Sequence, residues 1–179
     1  MRRITIVVAV AMAAFMIGWT PAAWACPGAR SSAGSQPAAS ATRAVVCLVN
    51  HVRAKHHLRR LHGSVVLGVA ALGHSSTMDS LDFFAHDGSD GTPATRARAA
   101  GYMRGARFWE IGENLGYGAT SAGSPKAMVR AWMHSPEHRK VMLERFWRQV
   151  GVGVTQGSPI GPDTPDMATY TVDFGFRRG

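Results

Sequence analysis

An α+β fold is predicted for this 179-residue chain, with helices leading and a sheet closing it. Val45, Leu48, Val49 and Val52 follow the i, i+3, i+4, i+7 spacing of a helix with one buried face. Val150, Val152 and Val154 alternate with Gly151, Gly153 and Thr155, and Tyr170, Val172 and Phe174 alternate with Thr171 and Asp173, the period of strands. Helical patterns first and strand patterns last favour an α+β layering over a doubly wound sheet.

The chain begins with Arg2 and Arg3, an almost unbroken apolar run from Ile4 to Gly18, and the small-x-small pattern Ala23-Trp24-Ala25. That is the pattern of an export signal over residues 1–25, cleaved near Ala25, and it predicts a secreted or extracytoplasmic protein. The apolar run falls short of the ~20 residues of a bilayer span, which disfavours an uncleaved anchor. Arg2-Arg3 lacks the context of a twin-arginine signal, and Trp24 and Ala23 fit a lipobox poorly, although cleavage would leave Cys26 first. Cys26 and Cys47 are the two cysteines, and in an oxidising compartment they are expected to bridge. Closing a loop of that size contributes about 3 kcal/mol in the chain-entropy model. Residues 26–41, rich in Ser, Ala, Gly and Pro without apolar period, read as a flexible linker anchored by Cys26. Residues 42–179 are enough for one domain with its own core.

The first helix is expected to carry Cys47 at its edge and to run on into a basic tail, Lys55 to His62. His56, His57 and His62 on that tail are read as a solvated face, because neighbouring helical residues point about 100° apart and flanking arginines repel cations. A second helix is predicted over about Val65 to Asp82, with Leu67, Ala70, Ala71, His74, Met78 and Leu81 near one stripe; His74 is read as a hydrogen-bonded core histidine. Gly68 and Gly73 each weaken it by up to ~1 kcal/mol, so tertiary packing must hold it. Asp87, Gly88, Asp90 and Gly91 form a turn rather than a calcium loop, which would need a later glutamate. Thr92 and Pro93 then cap and open a helix that stops at Gly101, with Arg96 and Arg98 facing solvent. Ser124-Pro125 opens another, with Met128, Val129 and Trp132 inward, and Ser135-Pro136 restarts a short one through Leu143, Ser135 serving as N-cap.

Three polar signatures stand between these elements: FFAHDGSDGTP (83–93), IGENLGYG (111–118) and WMHSPEHRKVML (132–143). They supply His86, Glu113 and His138 as the candidate cleft. Two imidazoles, a carboxylate and water are a sound donor set for zinc or another divalent cation. The competing reading has Glu113 accept hydrogen bonds from the histidines and nearby amides, tying loops together, as a buried carboxylate requires. Gly112, Gly116 and Gly118 read as shaping a tight turn, since no Lys or Ser/Thr follows at P-loop spacing.

These signatures, with CLVNHVRA, HSSTMDSLDFFAH, TRARAAGY, AWMHSPEHR, VGVGV and ATYTVDFG, resemble the CAP superfamily in its compact bacterial form, from about Val45 to Phe174. The resemblance implies a three-layer α-β-α sandwich with a small central antiparallel sheet and a short strand near Glu113. It also implies that His86, Glu113 and His138 correspond to residues lining a cleft that holds zinc or another divalent ion in several members. The family's second glutamate has no counterpart here, since Met133, His134 and Ser135 follow Trp132.

No G-x-S-x-G elbow is present and neither cysteine is placed as a nucleophile, which leaves little for a hydrolase to work with. The expected function is a secreted, non-catalytic binding module, its ligand a lipid or a cell-envelope component; the alternative is a divalent-metal-dependent hydrolase using the same cleft. Phe108, Trp109, Met103 and Met128 are candidate groove residues, with core packing as the default. The formal charge of +9 includes Arg2 and Arg3, whose loss with the signal leaves +7. That surplus favours anionic surfaces such as head groups or acidic wall polymers. The basic residues are scattered along the chain, and no nucleic acid partner is expected.

Overall fold

The valines of the VGVGV segment lie at the centre of a four-stranded sheet in a computed structural model that describes residues 25–161 and 164–179. The expected signal lies outside the described residues, Ala25 excepted. Strand order is β1 (His62–Gly63), β3 (Gln149–Thr155), β4 (Met167–Arg178), β2 (Phe108–Ala119). β4 runs antiparallel to both long neighbours, so Glu113 sits beside Asp173 and Asp173 beside Gly151. β1 is a two-residue parallel addition to β3, too short to leave an alternating signal.

Helices cover both faces, giving the α-β-α sandwich. α1 (Ala38–Lys55), α4 (Pro125–His134) and α5 (Pro136–Leu143) pack on one face. There Val45, Val49, Met128, Trp132, Val152 and Phe174 belong to one buried cluster, each large side chain contributing roughly 1.5–3 kcal/mol of transfer free energy. α2 (Val65–Ser80) and α3 (Pro93–Ala99) cover the other face, where Leu67, Ala97 and Tyr102 form a smaller cluster. β4 is buried on both sides, which explains why Thr169, Thr171 and Asp173 are as enclosed as the apolar residues between them. Among the described residues no helix is long and apolar enough to cross a membrane.

Several expectations change in three dimensions. The IGENLGYG segment is part of a twelve-residue strand rather than a turn. Two of its glycines make room for the layer above: a Cβ on Gly112 would meet Trp147, in the segment after α5, and Val141 of α5, and one on Gly116 would meet Met128 and Trp132 of α4. The basic tail is not helical, because α1 ends at Lys55 and His57 takes a positive φ of 56°. Arg53 turns inward instead, donating to the carbonyls of Arg59, Met142 and Glu144, which fastens the tail and the end of α5 to α1. The segment before α1 is fixed by the Cys26–Cys47 disulfide and packs Ala33 into the main core. Met128 is core, while Phe108 and Trp109 lie under the guanidinium groups of Arg178 and Arg98.

Candidate functional site

β2 is an edge strand, and its alternation sends Glu113 and Asn114 to opposite faces. Glu113 points toward α3, and its side chain is 1% exposed. Oε1 accepts from His86 Nδ1 at 2.7 Å, and Oε2 accepts from Arg96 at 2.7 Å. Arg96, expected at the surface, is 6% exposed and also donates to the backbone carbonyls of His86 and Gly91. One guanidinium therefore holds the His86 loop, the DGSDG turn and β2 together. Such a pair is costly to break from one side, about 3–5 kcal/mol, because the remaining charge stays buried.

His86 sits beyond α2 with its side chain 54% exposed. The hydrogen bond to Glu113 raises its pKa above the ordinary histidine value, against an opposing contribution from partial burial. His74 lies behind the loop, fully buried, with Nε2 donating to Ala85 O at 2.9 Å and Nδ1 facing Asp90 at 2.9 Å. It is the satisfied core histidine expected, and it ties α2 to the same turn that Arg96 holds. Gly88 and Gly91 exchange backbone hydrogen bonds, so DGSDG is a tight turn. Thr92 and Ser124 cap α3 and α4 through their hydroxyls, as expected.

His138 belongs to the opposite face. Asn114 donates to its backbone carbonyl at 3.1 Å, and its Nδ1 hydrogen-bonds Ser135 Oγ at 2.8 Å. Ser135 stands at the N-cap position of α5, but its hydroxyl makes no cap hydrogen bond. The ring nitrogen one turn ahead competes for it. Partial burial lowers the His138 pKa below the ordinary histidine value, and the charge of nearby His86 lowers it further. The structure thus joins His86 to Glu113 and leaves His138 as a neighbour across the rim of the edge strand.

Two residues of this cluster were not singled out in sequence as members. Arg96 is one. Asp173, fully buried beside Glu113, is the other; burial first and the Glu113 charge second push its carboxyl well above the usual carboxylate range. Its place in an alternating strand masked it, and no spacing rule connects either residue to Glu113.

This arrangement does not fit the divalent cation implied by the resemblance. Both Glu113 oxygens are engaged, one by a guanidinium, and among the described residues no three His, Cys, Asp or Glu side chains come together as a ligand set. What the cluster does chemically is bind charge to charge across three elements.

A family model described as the cysteine-rich secretory protein family matches residues 46–169. The membrane protein YlbC of Bacillus subtilis is 29% identical over 110 residues, and YkwD of the same organism 30% over 117 residues. These cover 62% and 65% of this chain, which spans only 30% and 43% of the two relatives. Among solved structures, an extracellular protein containing a SCP domain from Bacillus anthracis superimposes with a TM-score of 0.60 at 26% identity, covering 76% of this chain and 40% of that one. An outer surface protein of Borrelia burgdorferi gives 0.61 at 19% identity, covering 75% and 90%, a likeness of fold.

Proposed function

The chain belongs to the cysteine-rich secretory protein family, and from that premise we propose that it is an extracellular, non-catalytic binding module for a component of the cell envelope. One observation carries the non-catalytic half of this reading. Glu113, the acid a hydrolase of this cleft would rely on, has both oxygens committed to His86 and Arg96. A general base needs a free oxygen within reach of the proton it takes. Here the carboxylate is instead the knot of a structural clamp. The extracellular half is supported by the Cys26–Cys47 disulfide and by the description of the Bacillus anthracis relative as extracellular.

The test is direct. Purified mature protein is expected to sediment with isolated bacterial envelopes at low salt, to contain no stoichiometric metal by elemental analysis, and to keep its melting temperature in excess chelator. A protein that stays in the supernatant sinks the binding reading. Bound metal whose removal lowers the melting temperature would restore the metal-dependent hydrolase in its place.

A further inference from the structure

Positive charge without counter-charge lies across the helical face opposite α2 and α3. A concavity of about 560 Å³ follows the exposed side of α4, with Arg30, Lys126, Arg130 and His134 around Ala127 and Ala131. A second, of about 640 Å³, shares Arg30 and Lys126 and continues between the N-terminal segment and α1 to His51 and Lys55. A third, of about 340 Å³, shares His134 and continues onto α5 to Arg139 and Lys140. The three join end to end through their shared residues. No carboxylate lines any of them, and among the described residues none of these lysines and arginines has a salt-bridge partner.

We propose that this track is a binding site for a linear polyanion of phosphodiester type, such as a polyol-phosphate polymer. Three observations select that class. Cations spaced along connected concavities suit repeated charges on a chain better than one compact ion. Arginine forks pair with phosphate oxygens in a bidentate way. No Phe, Tyr or Trp lines the track and its rings are the imidazoles of His51 and His134, so nucleic acid bases find little to stack on, whereas a polymer with small polyol spacers needs only the shallow floor of Ala127 and Ala131. The site is separate from the His86–Glu113 cluster and rests on the extracellular binding reading only for where the polymer is met.

The experiment measures binding of a purified glycerol-phosphate polymer at low salt to the wild-type chain, to Lys126→Gln/Arg130→Gln, and to Arg104→Gln/Arg107→Gln. The last pair removes the same charge from exposed positions off the track. The wild type is expected to bind with an affinity that falls steeply as salt rises, the track variant to bind roughly tenfold more weakly, and the off-track variant to match the wild type. Equal losses in both variants would reduce the track to net charge and overturn it. So would a wild type that ignores the polymer, or one that prefers single-stranded DNA of equal charge. If envelopes retain the wild type and the track variant alike, the track fails while the binding module stands. If the polymer binds through the track yet envelopes are ignored, the track stands and the envelope reading fails.

Discussion

Glu113 is a buried carboxylate balanced by one permanent cation, Arg96, and one conditional cation, His86. The second is a cation only while the imidazole is protonated, although a neutral ring with its hydrogen on Nδ1 still donates to Glu113. Because the Glu113 hydrogen bond raises the His86 pKa above its ordinary 6.5, this contribution to stability is complete below 6.5 and is lost as pH rises through the higher folded value. The difference in melting temperature between wild type and His86→Gln is therefore expected to be largest near about pH 5.5 and to shrink toward about pH 8. A difference that grows with pH would contradict the pairing. The imidazole is half exposed, so solvent screening keeps the effect small beside that of Arg96.

At the scale of elements, β3 shows how the sheet and α2 meet. Gly151 and Gly153 face α2, and a Cβ on either would strike main-chain atoms of Leu67 and Gly68 or of Ala71 and Leu72. Backbone therefore lies directly on backbone where β3 crosses α2. Gly153→Ala is expected to cost about 3 kcal/mol in chemical denaturation, the upper end for overpacking, since neither backbone can yield. Gly63→Ala, with nothing within 4 Å, serves as the near-neutral control. The valine alternation made β3 visible in sequence, and the Thr92 and Ser124 caps were visible because their partners lie three residues away. Arg96 and Glu113 are 17 residues apart on different elements, and Arg53 and the Met142 carbonyl 89 apart, distances at which no local pattern survives. Ser135 occupies the cap position that serine before proline announces, but its hydroxyl bonds His138 in place of a backbone amide, a choice no local pattern displays.

At the scale of the whole molecule, charge is the property that sequence order concealed. Lys55, Arg30, Lys126, Arg130 and Lys140 come from four separate segments, scattered along the chain and collected only when α1, α4 and α5 assemble. The helical period of α1 and the strand period of β3 and β4 gave the fold class, although β1 and β2 lie among the helices, and the order of motifs pointed to the family, because these are properties of a line. The disulfide acts at this scale too. It joins residues 21 apart and ties the segment carrying Arg30 to α1. Cys47→Ser is expected to lose about 3 kcal/mol of stability in urea denaturation. An unchanged midpoint would mean that the packing of Ala33 and the hydrogen bonds of Ala29, Ala33 and Gln36 with Lys126, Gly123 and Gln156 hold the segment without the bridge.

Arg30 belongs to the short stretch that the sulfur bridge pins down, yet it lines both of the larger basic concavities. The same stretch is seated by main-chain bonds as well, from Lys126 to the Ala29 carbonyl and from Ala33 to the Gly123 carbonyl. Reducing that bridge in the purified protein is therefore expected to loosen the grip on an anionic chain without abolishing it.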